Sequence, residues 1–316
     1  MKTAMSPSGP ASETATGAWL VLGSAVIWSF GGVLARLAEV DDPWVIVFWR
    51  TLTASLFILG FLLFRDGPRG AIALARNMGV PGLVVAACFA TAMTSFIVAL
   101  NYTTIANILL MQAAVPLIAA LISRLAFGEA VGLATWIAIA AVIFGVGVMV
   151  SDSLTGGVSL IGDALALLIT LVFAVATVVS RRHANVRMTP AVLIATMTAF
   201  AVATATGLVG GSDFAVSGRQ FAILAVFGVS LGLGLAIFTI GVRLIPSAFA
   251  ALLGTGETVL GPVWAWLILA EVPKARTLLG GGIVLAALIA YLVWQLRQQR
   301  RGARPNVSVR ALPDGK

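Results

Sequence analysis

Glu257 is a carboxylate close to the middle of an apolar run, Ser247 to Ala270 (SAFAALLGTGETVLGPVWAWLILA). At about 1.5 Å per residue it stands roughly 15 Å into a segment that has to cross about 30 Å of hydrocarbon, near the midplane. An acidic side chain there costs on the order of 2.5 to 3.5 kcal/mol on insertion scales, so it must face protein or a water-filled cavity and not lipid. In that position it can carry a proton or pair with a substrate ammonium; hydroxyls of neighbouring helices satisfying it is the blander alternative. Gly254, Gly256, Gly261 and Pro262 loosen the helix around it. Loosened helices at the midplane are where transporters bind their substrates. On a continuous helix, Gly254, Gly261 and Trp264 share the Glu257 face, combining space with an aromatic wall.

Other polar and aromatic residues fall at similar depths. Gln112 and Asn101 are eleven residues apart, about three turns, and share one face if their helix extends back to Asn101. Amides there can bind a carboxylate or an amine, or act as interhelical glue worth under about 1 kcal/mol, the role expected of Asn107. Arg50 lies roughly 10 Å inside the outer end of its span, where it either pairs with Glu39 or Asp42 to brace the outer mouth or holds a substrate anion. Trp28 is near the midplane and, with Trp264, suits offset stacking on an apolar ring; core filling is the alternative. Tyr102, at a span end, fits the interfacial belt. Pro116 and the Gly254 to Pro262 run are the expected bending points. Glu129 and Glu271 are expected at the starts of the following helices, complementing their dipoles.

The composition says what carries these residues. The 316 residues are 60% hydrophobic and 10% charged, with a mean hydropathy of +1.05, well above the about 45 to 50% apolar content of soluble domains. The net charge of +8 does not point to nucleic acid, because the basic residues sit in short loops and at the C-terminus with no aromatic-interleaved patch. The lone Cys88 lies in an apolar segment and cannot form an internal disulfide. A single histidine, His183, cannot build a multi-histidine metal site, and no GxxxxGK[ST] cradle for ATP is present. No cofactor and no enzymatic constellation are expected. The expected partners are a small-molecule substrate and membrane lipids.

Ten apolar spans follow from the hydropathy: 17–37, 43–64, 78–100, 103–123, 131–150, 160–180, 190–210, 221–243, 247–270 and 277–296. Residues 1–16 read as a disordered cytoplasmic leader and 297–316 as a basic cytoplasmic tail attracted to the anionic inner leaflet. Lys and Arg concentrate in the loops that are cytoplasmic if both termini are inside. A shift of 145 residues superposes Gly17 on Gly162 and Trp28 on Phe173. A shift of 142 superposes Ala106 on Ala248, Leu110 on Leu252 and Glu129 on Glu271. Two repeats of five spans, 17–150 and 160–296, follow; five is odd, so the second lies upside down relative to the first. The fold class is all-α integral membrane, with ten transmembrane helices in two inverted five-helix repeats.

The ordered motifs resemble a known family. Gly17 with Trp28 and Gly162 with Phe173, Pro43 followed by Arg50 (PWVIVFWR), the turn NYTTIAN leading to Pro116, and the endings LAFGEA and ILAEVP are similar to the ten-helix EamA type of the drug/metabolite transporter superfamily. The resemblance covers 17–296. The second half departs from it, with Met197 where an arginine like Arg50 would fall and Thr258 where the first half has Pro116. What the resemblance implies is a basket of helices around a cavity walled by spans one, three, four, six, eight and nine. The chain also looks like the aromatic amino acid exporters of bacterial inner membranes. Its expected function is secondary export of aromatic or large apolar amino acids by alternating access. A multidrug or cation exporter, a sugar-phosphate or nucleotide-sugar carrier and a non-transporting membrane scaffold are the alternatives.

Overall fold

The structure, a computed structural model, describes residues 10–128, 132–154, 159–183, 185–242, 244–245, 250 and 253–302. Helices α1 (Pro10–Ser29) and α2 (Gly31–Leu37) form span one, α3 (Pro43–Asn77) span two and α4 (Gly79–Ala99) span three. Span four is the pair α5 (Ile105–Gln112) and α6 (Val115–Phe127), and α7 (Leu133–Leu154) is span five. The second half follows with α8 (Leu160–Arg182), α9 (Thr189–Gly210), α10 (Gly218–Gly241), α11 (Gly256–Leu269) and α12 (Ala275–Gly302). Among the described residues eight spans are long and apolar enough to cross directly, and α5 with α6, bent by 41°, cross as a ninth. The 14 residues of α11 reach about 21 Å and complete the ten-span frame.

Local chemistry sets several helix ends. Pro43 begins α3, and the Trp44 N–H donates to the Asp42 carboxylate at 2.8 Å, which caps the helix. Thr104 caps α5 by accepting from the Asn107 N–H at 3.2 Å. Ser217 and Gln220 close a capping box at the start of α10. Within α3, Gly67 has φ +69°, a left-handed turn suited to glycine, and Pro68 follows. Span two therefore ends close to the expected Phe64, and a second segment runs on to Asn77. One expectation is corrected: α1 starts at Pro10, so residues 10–16 extend the first helix and are not a disordered leader, since Pro opens a helix well and Ala, Ser, Glu and Thr continue it. Residues 1–9, 303–316 and Glu129 lie outside the described residues.

The packing shows the inverted symmetry that apolar sequence alone only suggests. Span three packs on span six and span eight on span one; span three packs on span seven and span eight on span two; span four packs on span six and span nine on span one. Each statement turns into its partner when the halves are exchanged. Spans two and seven, four and nine, and five and ten pair across the pseudo-symmetry axis itself. Helices in lipid gain little from burying apolar surface against each other, so close backbone approach matters more. Spans five and ten approach at Gly145 and Gly280, where a Cβ on Gly145 would stand 2.7 Å from the Gly280 carbonyl oxygen. The opening glycines are explained in the same way. A Cβ at Gly17 would stand 2.6 Å from that of Leu244, and one at Gly162 would stand 2.7 Å from that of Thr103.

Two ion pairs are also symmetry mates. Glu39, between spans one and two, holds Arg219 at the start of span eight at 3.2 Å. Arg187, between spans six and seven, holds Asp66 at the end of span two at 2.8 Å. Exchanging the halves carries one connection onto the other with the charges reversed. The two clasps sit on opposite faces of the molecule.

Candidate functional site

Spans four and nine are both interrupted, at matching positions. α5 ends at Gln112, the chain turns at Ala113 and Ala114, and α6 begins at Val115; in the second half Thr255 interrupts the helix and α11 begins at Gly256. The 142-residue shift carries Gln112 to Gly254, Ala113 to Thr255 and Pro116 to Thr258. In the first half Pro116, at the second position of α6, lacks the N–H that would continue the preceding turn. In the second half the Gly254-Thr255-Gly256 sequence takes that role. Two helix N-termini, with their positive dipole ends, thereby open at mid-depth, and Glu257 sits in the first turn of α11.

A cavity of about 360 Å³ surrounds these breaks, a size suited to a small metabolite. Its apolar wall includes five aromatic side chains, Trp28, Phe89, Phe96, Phe173 and Phe227, among aliphatic ones. Its polar groups are few: Arg50, Gln112, Ser230, Thr255, Glu257 and Thr258. The wall draws on spans two, seven and ten, through Arg50, Val192 and Leu288, as well as on the six spans that the family resemblance implied.

Four of the residues expected to bind substrate meet here, together with Pro116 and Gly254 of the expected bending points. Glu257 is partly buried and accepts no hydrogen bond from the described residues. Gln112 closes α5 at the break. Trp28 donates its Nε1–H to the Leu231 carbonyl over a long 3.4 Å and lies 5.5 Å from the Phe238 ring, so span eight holds its indole against the wall. Arg50 is 8% exposed. Its guanidinium carbon lies 4.0 Å from the centroid of Phe227 and 5.9 Å from that of Phe96. Among the described residues its Nε and Nη1 have no hydrogen-bond partner. It therefore does not brace the outer mouth with Glu39 or Asp42, because Glu39 is taken by Arg219 and Asp42 by the Trp44 amide. Arg50 and Glu257 line the same cavity, and among the described residues they make no ion pair within 4.0 Å.

The other sequence-derived residues are placed elsewhere. Trp264 stacks on Phe30, with ring centroids 4.9 Å apart, and donates to the Ser29 hydroxyl at 3.0 Å, tying span nine to the break in span one. Gly261 packs against Leu109 of span four. Gly261 and Trp264 follow Glu257 on one face of α11, but of the four residues only Gly254 and Glu257 line the cavity, because Gly261 is taken up by Leu109 and Trp264 by Phe30 and Ser29. Pro262 lies inside α11 and leaves the Thr258 carbonyl without its helical donor. Asn101 and Tyr102 stand exposed in the turn before Thr104. They share no face with Gln112, since the Thr104 cap ends the helix short of them. Asn107 donates to Asp163 at 2.6 Å and to Thr103 at 3.0 Å, a buried structural tie. Glu271 does not serve the helix that follows it. Its carboxylate accepts from the Ile105 N–H at 2.7 Å and so caps α5 in the opposite half. Burial pushes the Glu271 carboxyl above its ordinary range, with that hydrogen bond and Arg36 opposing.

Several wall residues were not found from sequence. The 142-residue shift would have reached some of them: it carries Phe89 to Leu231, Met93 to Leu235 and Arg50 to Val192, and all six line the cavity. Met197, the expected counterpart of Arg50, is 55% exposed.

Residues 15–151 and 160–293 each match the EamA-like transporter family. The chain belongs to that family. Membership makes it a membrane transporter for a small molecule, built as a ten-helix repeated fold. Among similar proteins, the pseudopaline exporter CntI of Pseudomonas aeruginosa strain UCBPP-PA14 is 27% identical over 279 residues, 87% of this chain and 95% of the relative. The protein of the same name from strain PAO1 is 26% identical over the same lengths. One solved crystal structure superposes with a TM-score of 0.62 at 16% identity, covering 93% of this chain and 99% of the other, a likeness of fold.

Proposed function

We propose that this member of the family exports small amphipathic metabolites, chiefly amino acids with aromatic or large apolar side chains, from the cytoplasm across the inner membrane by alternating access of its two halves. The observation that carries the reading is the pairing, in one 360 Å³ cavity, of an aromatic wall with a carboxylate at a broken midplane helix. Glu257 receives the substrate amine or a proton, Gln112 supplies hydrogen bonds, and Trp28 with the phenylalanines contacts the side chain. Pro116 and the Gly254 to Pro262 run bend as the halves rock. Both termini lie in the cytoplasm, supported by the Lys and Arg distribution of the loops. A named exporter among the relatives supports the direction of transport.

The test is accelerated uptake of labelled phenylalanine into proteoliposomes preloaded with unlabelled amino acids, cationic dyes or sugar phosphates, with and without a pH gradient. Acceleration by aromatic or large apolar amino acids supports the reading. Accelerated uptake of a labelled cationic dye, with none of phenylalanine, would assign the protein to cation export, a reading that rests on Glu257 and must place a dye's charge beside Arg50.

A further inference from the structure

Resting on the reading just given, we propose that Arg50 is the anion-recognising residue of the cavity, so that the substrate class is narrowed to zwitterions: molecules presenting a carboxylate to Arg50 and an ammonium to Glu257, with an apolar group against the aromatic wall. A guanidinium that is only 8% exposed and has two nitrogens without partners among the described residues is an unusual arrangement at membrane depth. A buried donor left unpaired carries a desolvation penalty, larger when it is charged. Phe227 and Phe96 stabilise the cation through their ring faces, but an aromatic face accepts no linear hydrogen bond from Nε or Nη1. Other carboxylates among the described residues have partners of their own: Glu39 has Arg219, Asp66 has Arg187, Asp163 has Asn107 and Glu271 has the Ile105 amide. Glu257 lines the same cavity as Arg50, and among the described residues the two make no ion pair.

The cavity wall therefore has a positive and a negative pole, both in the aromatic enclosure and neither neutralised by contact. A molecule with one charge satisfies one pole and leaves the other buried and unmatched. A zwitterion satisfies both. The planar guanidinium suits a carboxylate, which can accept two N–H groups at once. A zwitterion brings each of the two charges a contact of opposite sign.

The experiment measures binding to purified wild-type protein of three probes that share a phenyl ring and an amine: phenylalanine, its methyl ester and phenethylamine. Tryptophan fluorescence reports binding through Trp28. Loss of a charge-assisted hydrogen bond predicts that the ester and the amine bind about 10- to 100-fold more weakly than phenylalanine. Arg50→Gln should then weaken phenylalanine by a similar factor while leaving the ester and amine unchanged or tighter, and Arg50→Lys should recover part of the loss. Equal affinity of wild type for the three probes overturns the assignment without any variant having to fold. Phenylalanine affinity unchanged in a folded Arg50→Gln protein overturns it as well. Failure of wild type to bind or transport any amino acid removes the underlying functional reading instead.

Discussion

The two halves of this protein share one fold and differ in chemistry. At the break in the first half stand Gln112, Val115 and Pro116; at the break in the second stand Gly254, Glu257 and Thr258. The first half sends Arg50 into the cavity from span two, and the second sends Val192 from span seven. Inverted repeats supply two equivalent broken helices, and divergence has put the cation on one half and the anion on the other. Symmetry thus accounts for the cavity's shape and for the opposed motions that alternating access requires. Its loss at the wall accounts for a site with a defined polarity.

The largest effect should come from removing the anionic pole. Glu257→Gln should lower amino acid flux in proteoliposomes by at least about tenfold, as expected for a lost charged contact, and abolish its response to a pH gradient. Unchanged flux and pH dependence would take Glu257 out of the mechanism and leave the halves functionally alike. The bending points come next. Pro116→Ala, by restoring an N–H at the break, should let α5 and α6 straighten and slow transport several-fold with little change in binding. Thr258→Pro, which makes the second half like the first, should be close to neutral, because the Thr258 N–H bonds only to Thr255 across one tight turn. A severe Thr258→Pro defect would mean that the two breaks work differently.

The clasps allow a smaller comparison. Asp66 and Arg187 are partly shielded, with side chains 17% and 26% exposed, whereas Glu39 and Arg219 are 64% and 66% exposed. A double-mutant cycle on melting temperature should give the shielded pair a coupling near the upper end of the about 0.2 to 1 kcal/mol range, and the exposed pair nearly none. Charge exchange, Asp66→Arg with Arg187→Asp, should restore stability. An effect no larger than that of the shielded clasp is expected at Glu271. Glu271→Ala should cost about 1 kcal/mol through loss of the α5 cap, and Glu271→Gln less. Because burial raises the folded carboxyl above its unfolded value, the folded protein binds that proton more tightly. The residue's contribution is greatest below the unfolded value and declines as pH rises through the folded one. Glu271→Gln should flatten this part of the stability profile.

Much of this was legible in the chain itself. Span number, the location of Glu257 and the five-plus-five division all follow from hydropathy and spacing, because a bilayer imposes length and apolarity on every helix that crosses it. Trp28, Gln112, Arg50 and Glu257 were singled out and do line one cavity. Asn101 was placed on the Gln112 face by assuming a continuous helix, which the Thr104 cap ends; Trp264 shares a helix with Glu257 but is held by Phe30 and Ser29 of span one and does not line the cavity. Arg50 and Glu271 were given partners close in sequence, whereas Glu271 bonds to span four of the opposite half and Arg50 faces spans three and eight.

By itself, then, the sequence determined a ten-span membrane protein of two inverted repeats with a carboxylate at mid-depth. Periodicity and transfer free energy act residue by residue along the chain, so they can be read without knowing which helices are neighbours. Only the tertiary structure decided that Arg50 is left without a carboxylate in contact, that it shares a cavity with Glu257, and that spans four and nine break at matched positions. Those outcomes depend on which helices meet across the pseudo-symmetry axis, where packing of small residues and a few interhelical hydrogen bonds choose the partner and the one-dimensional pattern of apolar residues does not.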